Sequence, residues 1–208
     1  MTDIQNYSVV INSQGLENFR TEEVSLEAAM SQPHEPEPVK LVSSLFSPEK
    51  RLLETVIGEF SKIYGAVDWI SPELFFDRTR YYAREMGWPL HRRFVSFSKL
   101  IPADYLVEIK LKTNEIEHQY LREGNRMVNI DPGYISPERL ILATGKNYVH
   151  RVYLCEGIYA DLTLIFQRGS FRPLKWTYPD YASKETIGFF NGIREKYMKQ
   201  LREMKRFD

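Results

Sequence analysis

The sequence predicts an α+β fold, a two-layer sandwich with helices on one face of a mainly antiparallel sheet. Three observations predict it. Apolar residues recur at helical spacing in separate stretches. Short β-branched and aromatic runs lie between them. A glycine turn at Arg168-Gly169 marks a hairpin just before the closing helix.

Taken in order, Val39–Phe46 (VKLVSSLF) reads as a buried strand. Ser47-Pro48 offers an N-cap with proline at the first helical position. Leu52, Leu53, Val56, Ile57, Phe60, Ile63 and Tyr64 then recur at helical spacing, and Gly65 stops the helix. Residues 67–76 form a second strand that Pro72 breaks or confines to an edge. Residues 77–90 are a polar-aromatic loop, and residues 93–97 alternate as a strand. Residues 102–124 make the second helix, with Leu106, Ile109, Thr113, Ile116 and Tyr120 inward and Lys110, Asn114 and Glu117 beside them. Residues 127–130 are a short strand ending in an Asp131-Pro132-Gly133 turn, and Ser136-Pro137 caps a short helix through Leu142. Residues 150–154 and 158–167 are strands, and 170–174 completes a hairpin. Ser183 caps a long helix whose stripe is Ile187, Phe190, Ile193, Tyr197, Leu201 and Met204. The first six elements follow the ferredoxin-like β-α-β-β-α-β order, to which the C-terminal hairpin and long helix are added.

Composition narrows the classes. The 28 basic and 28 acidic residues cancel, which argues against a dedicated non-specific nucleic-acid binder. The balance is uneven, because residues 1–37 hold Arg20 against seven acidic residues and end among three prolines. That segment reads as a disordered tail, with residues 38–208 a single domain carrying a net +6. Met30-Ser31-Gln32-Pro33 resembles a second start of translation, so residues 1–29 read either as a natural tail or as a dispensable upstream extension. The single cysteine excludes a disulfide framework and multi-thiolate zinc sites, and Cys155 reads as a small buried hydrophobe. No apolar run reaches membrane-spanning length and no secretory signal opens the chain, so a cytoplasmic protein is expected.

Several chemistries fail on spacing. Gly145-Lys146 is followed by Asn147, and Leu140 stands where a P-loop requires glycine. There is no GxGxxG, HExxH or GxSxG. None of the four histidines opens a His-x-Thr/Ser motif. No metal is assigned, since His150 with Glu156 or Asp161 has no diagnostic spacing. No cofactor can be named from the residues.

Polar chemistry concentrates downstream. Asp131 and Tyr134 follow a strand; Lys146 follows the short helix, and His150 and Arg151 enter the next strand, whose alternation sends them to opposite faces. Asp161, flanked at period two by Tyr159 and Thr163, needs a partner if buried, and His150 and Arg151 are the candidates. Trp176–Tyr181 is dense in aromatic and acceptor groups, including Thr177, Tyr178, Asp180 and Tyr181. Upstream, Arg92, Lys110 and Asn114 complete a set able to hold an anion. The acid–base candidates are Asp131, His150 and Asp161.

These phrases also carry a resemblance. Pro38–Leu41, Tyr81-Tyr82 with Met86-Gly87, Arg92–Phe97, Ile109–Asn114, Asn129–Tyr134, Leu142–Thr144, Gly157–Ala160 and Trp176–Tyr181 appear in the order expected of a bacterial family, domain of unknown function 4416. The resemblance runs from Pro36 to Arg202 and implies no activity. Some members carry a GTP-binding label, which the failed P-loop leaves without support. The expected function is binding of a small anionic ligand, a nucleotide or phosphorylated metabolite, with catalysis left open. The alternative is a non-catalytic RNA- or protein-binding module drawing on the +6 charge and aromatic residues. A deep polar pocket would favour the first, and a flat basic-aromatic sheet face the second.

Overall fold

The structure, a computed structural model, describes residues 33–76 and 82–206. Of the two units into which the chain divides, Met1–Glu35 and Pro36–Asp208, the second carries every element named below. The tail expected over residues 1–37 lies outside the described residues except for 33–37, which are exposed.

The chain is α+β with a large antiparallel sheet. Its strands are β1 Val39–Ser47, β2 Val67–Ile70, β3 Leu74–Phe75, β4 His91–Ile101, β5 Leu121–Arg122, β6 Asn125–Arg126, β7 Asn129–Ile135, β8 Arg139–Thr144, β9 Arg151–Cys155, β10 Ile158–Gln167 and β11 Ser170–Pro173. Its helices are α1 Lys50–Tyr64, α2 Ala83–Met86, α3 Leu106–Gln119 and α4 Lys184–Met204. Among the described residues nine strands form one sheet in the order β11-β10-β8-β7-β1-β4-β2, with β3 also on β4 and β9 also on β10. Each neighbouring pair is antiparallel, so β2 runs parallel to β1 across β4, and β7 runs parallel to β4 across β1. The chain segments holding α1 and α3 are the crossovers of these two split units.

Both helices pack on one face, where Leu53, Val56, Ile57 and Phe60 of α1 and Ile109 and Ile116 of α3 meet Leu41, Leu45, Val95, Phe97 and Ile130. The expectation of helices on one face only is corrected by α4. Its Phe190, Ile193, Tyr197 and Leu201 pack with Val42, Phe94, Ile135, Leu140, Leu164 and Phe171 in a separate cluster. The cause is legible in β1, which is buried at all nine positions and so needs cover on both faces. Among the described residues no helix is long and apolar enough to cross a membrane.

Several element boundaries also differ from the sequence reading. The expected turn at Asp131-Pro132-Gly133 lies inside β7, and the expected helix after Ser136 is strand β8. The second helix ends at Gln119 rather than Gly124, and a β5–β6 hairpin follows, with Glu123 and Gly124 both at positive φ. Ser47 remains in β1; its hydroxyl accepts from the Glu49 amide, and α1 begins at Lys50. Pro72 does break the second strand, leaving β2 and β3 both on β4. The short helix α2 falls within the stretch read as loop. Cys155, read as buried, is exposed at the β9–β10 turn.

Candidate functional site

The local chain geometry opens a gap in the sheet. β7 pairs with β1 from Asn129 to Ile135. It pairs with β8 only from Gly133 to Ile135, opposite Leu142 to Leu140. The strands approach closely at Gly133, where an added Cβ would stand 2.3 Å from the Ile141 carbonyl oxygen. Beyond that point β8 stays with β10, through Ala143↔Ala160 and Thr144↔Tyr159, while Asn129–Asp131 stay with β1. A cavity of about 820 Å³ lies between the diverging strands, with Asn129 and Asp131 on one side and residues 142–146 on the other. α3, packed against β7, presents Lys110, Asn114 and Glu117 to it. Asp131 pairs with Ser44, and Asp161 pairs with Leu142, itself opposite Gly133 and so level with Val42. The two aspartates therefore share the face that α4 covers.

The cavity wall alternates charge. Five cations line it, Arg92, Lys110, Arg126, Lys146 and Arg151, with four carboxylates, Glu117, Asp131, Asp161 and Asp180. Lys110 Nζ donates to the Ile130 carbonyl at 2.8 Å and stands 3.8 Å from Asp131 Oδ1, while Asp131 Oδ2 accepts from Asn129 Nδ2 at 2.8 Å. Arg126 grips Glu85 through Nε and Nη2 and reaches Glu117 at 3.2 Å. The Arg126 hydrogen bond holds the Glu85 carboxyl below its usual range. Burial pushes the Glu117 carboxyl up, against the pull of Lys110 and of the Ile130 amide, which donates to it at 2.7 Å. Arg92 pairs with Asp180 and lies 4.3 Å from the centre of the Phe76 ring. Arg151 donates from Nε to Asp161 at 2.8 Å and from Nη2 to the Tyr178 hydroxyl at 3.2 Å.

Aromatic rings complete the lining: Phe46, Phe76, Tyr82, Tyr178 and Tyr181. Phe46 and Phe76 stack at 4.8 Å. Burial, aided by the negative charge of Asp131, pushes the Tyr82 hydroxyl up to about 12. Burial likewise raises Tyr181 well above its usual range.

Of the residues singled out by sequence, ten meet in this cavity: Arg92, Lys110, Asn114, Asp131, Lys146, Arg151, Asp161, Tyr178, Asp180 and Tyr181. The other four lie outside the lining. Tyr134 turns to the α3 side of the sheet, among Leu106, Val107 and Ile141. Tyr159 packs edge-on to Tyr153, and Thr177 donates to the Thr163 carbonyl. His150 sits behind the wall, stacked on Trp176 and 3.3 Å from Asp161 Oδ2. His150 and Arg151 were expected on opposite faces, yet both reach Asp161, because β9 starts only at Arg151 and His150 belongs to the preceding turn. Sequence reasoning missed Arg126 because it fell between the helix read to Gly124 and the strand read from 127, Phe76 because it closed a segment read as strand, and Tyr82 because it lay within the stretch 77–90 read as loop. Glu117 and Asn129 stood in quoted segments without being chosen. Among the described residues no three His, Cys, Asp or Glu side chains gather as a metal ion would require.

No curated protein and no solved structure matches this chain. A family model does match, over residues 37–197, a span that includes every residue lining the cavity. The chain therefore belongs to the family described as Domain of unknown function (DUF4416).

Proposed function

We propose that this domain binds a small anionic ligand, a nucleotide or phosphorylated metabolite, in the cavity between β7 and β8. The observation that carries the reading is the convergence of five cationic side chains and five aromatic rings, from segments distant in sequence, on one cavity of about 820 Å³. That volume lies within the ordinary range of ligand pockets, about 300–1,000 Å³. Tyr82 and Tyr178, the two rings that keep exposed surface, offer apolar area to a base or a carbon skeleton, and the cations offer charge-assisted hydrogen bonds to a phosphate. Whether a reaction occurs there rests on different groups. Asp161 is held by Arg151, His150 and Thr163, which suits a structural carboxylate. Among the described residues Asp131 Oδ1 has no partner at hydrogen-bond distance, which makes Asp131 the better acid–base candidate of the two. The rival reading, a module for RNA or a protein partner, is weakened because the basic residues line a concavity and most are matched by carboxylates.

The test is a thermal-shift screen of the full chain against nucleoside monophosphates, sugar phosphates and inorganic phosphate. A ligand at 100 times its Kd should add about 2.7 kcal/mol of stability. Lys146→Ala, at an exposed position on the cavity rim, should weaken that binding, read as a smaller ligand-induced shift from the variant's own unliganded melting temperature. Absence of a shift with every compound, or undiminished binding by Lys146→Ala, overturns the reading.

A further inference from the structure

Resting on that reading, we infer that the ligand is a sugar monophosphate, its hydroxyl groups recognised by Lys110 and Asp131. The charge of the lining sets the first limit. Among the described residues five cations against four carboxylates leave a net +1, and Glu85, which grips Arg126 from just beyond the lining, brings that balance to zero. A triphosphate would bring roughly four negative charges into a wall that already holds four carboxylates. A monophosphate adds about two negative charges, half that load.

The second limit is the geometry of one pair. Lys110 Nζ and Asp131 Oδ1 are 3.8 Å apart, beyond hydrogen-bond distance but close enough for one oxygen to reach both. An ammonium only donates and an ionised carboxylate only accepts. The group that satisfies both at once must accept from one and donate to the other, which a hydroxyl does. A phosphate oxygen placed there meets the Asp131 charge, and an amine meets Lys110. The pair is also held in place: Lys110 is anchored on the Ile130 carbonyl and Asp131 on the Asn129 amide group. Asn114, one helical turn along α3, lines the same wall and offers a donor and an acceptor to a neighbouring hydroxyl.

Titration calorimetry on the full chain compares ribose 5-phosphate with phenyl phosphate, a planar monophosphate that lacks the hydroxyls. Ribose 5-phosphate should bind at least about tenfold tighter, the loss expected when hydrogen bonds to charged groups go unmade. Asp131→Asn should collapse that ratio, and Asn114→Ala, at a half-buried position, should reduce it. Equal affinity for the two phosphates, or a ratio that survives both substitutions, overturns the sugar assignment and leaves the anion site standing. Binding of neither phosphate, together with a blank nucleotide screen, removes both.

Discussion

Lys40 has no exposed surface, yet it carries an ammonium into the α4 side of the sheet. Its Nζ donates to Asp68 Oδ2 at 2.5 Å and to Gln200 Oε1 at 2.7 Å, while Asp68 also accepts from the Ser96 hydroxyl at 2.6 Å. Burial holds the Lys40 pKa below its usual value, with Asp68 pulling the other way. Such a pair is weak evidence of net stabilisation, but breaking it from one side strands a buried charge. Asp68→Ala should therefore cost about 3–5 kcal/mol. Lys40→Met should cost much less, because Asp68 is partly exposed and keeps Ser96 and Lys196. Denaturant unfolding of both variants checks the order; equal losses would show that Lys40 contributes packing rather than charge. Nothing in the sequence marked this lysine, since Val39–Phe46 reads as strand whichever way its second residue turns.

At the scale of elements, β7 and β8 explain both what the sequence showed and what it hid. Asp131-Pro132-Gly133 carries turn chemistry, yet all three residues pair with β1. Proline is tolerated because β8 reaches only as far as Gly133, so the outer side of β7 asks for no donor at Pro132. Ser136-Pro137 likewise imitates a helix start, but the Ser136 hydroxyl bonds the Glu138 carboxylate and closes a tight strand connection. The run Arg139–Thr144 is buried on both faces, Leu140 and Leu142 toward α4, Ile141 and Ala143 toward α3, so it lacks the alternation that identifies a strand. Where a capping side chain is genuine, as at Ser183, whose hydroxyl accepts from the Thr186 amide, the sequence reading and the structure agree. Gly133 is the point on which the gap depends. Gly133→Ala places a methyl 2.3 Å from the Ile141 carbonyl oxygen and 2.7 Å from Leu142 Cδ2, so the two strands must part. The expected loss is about 1–3 kcal/mol, as for overpacking elsewhere. A melting temperature equal to that of the wild type would mean that the strands separate there at no cost.

At the scale of the whole molecule, the cavity was legible as a set of residues and not as a shape. Asp131, Arg151, Asp161 and Tyr178 stood out because charged and aromatic groups followed strand-like runs, but the sequence held no sign that β7 and β8 diverge, which is what brings them to one volume. Tyrosines mark the layers more evenly. Tyr64 lies at the end of α1, Tyr82 just before α2, Tyr120 just after α3, and Tyr197 within α4. Each has its hydroxyl pushed up to about 12, by burial first for Tyr64, Tyr82 and Tyr197, and by the hydrogen bond to Glu59 first for Tyr120. In the unfolded chain these groups ionise near 10. Between those values the folded form keeps protons that the unfolded form has released, so stability is full below pH 10 or so and falls as pH rises toward 12. Because the four span both helical layers and the cavity wall, the loss should appear as one cooperative transition. The last part of the tyrosinate absorbance should lag behind that of a model peptide and climb together with the loss of far-ultraviolet circular dichroism. Substituting Tyr82→Phe should make the folded domain less sensitive to alkali. If the absorbance that Tyr82→Phe removes lies around the ordinary tyrosine value while the circular dichroism holds, the Tyr82 hydroxyl is open to water and the layers do not enclose it.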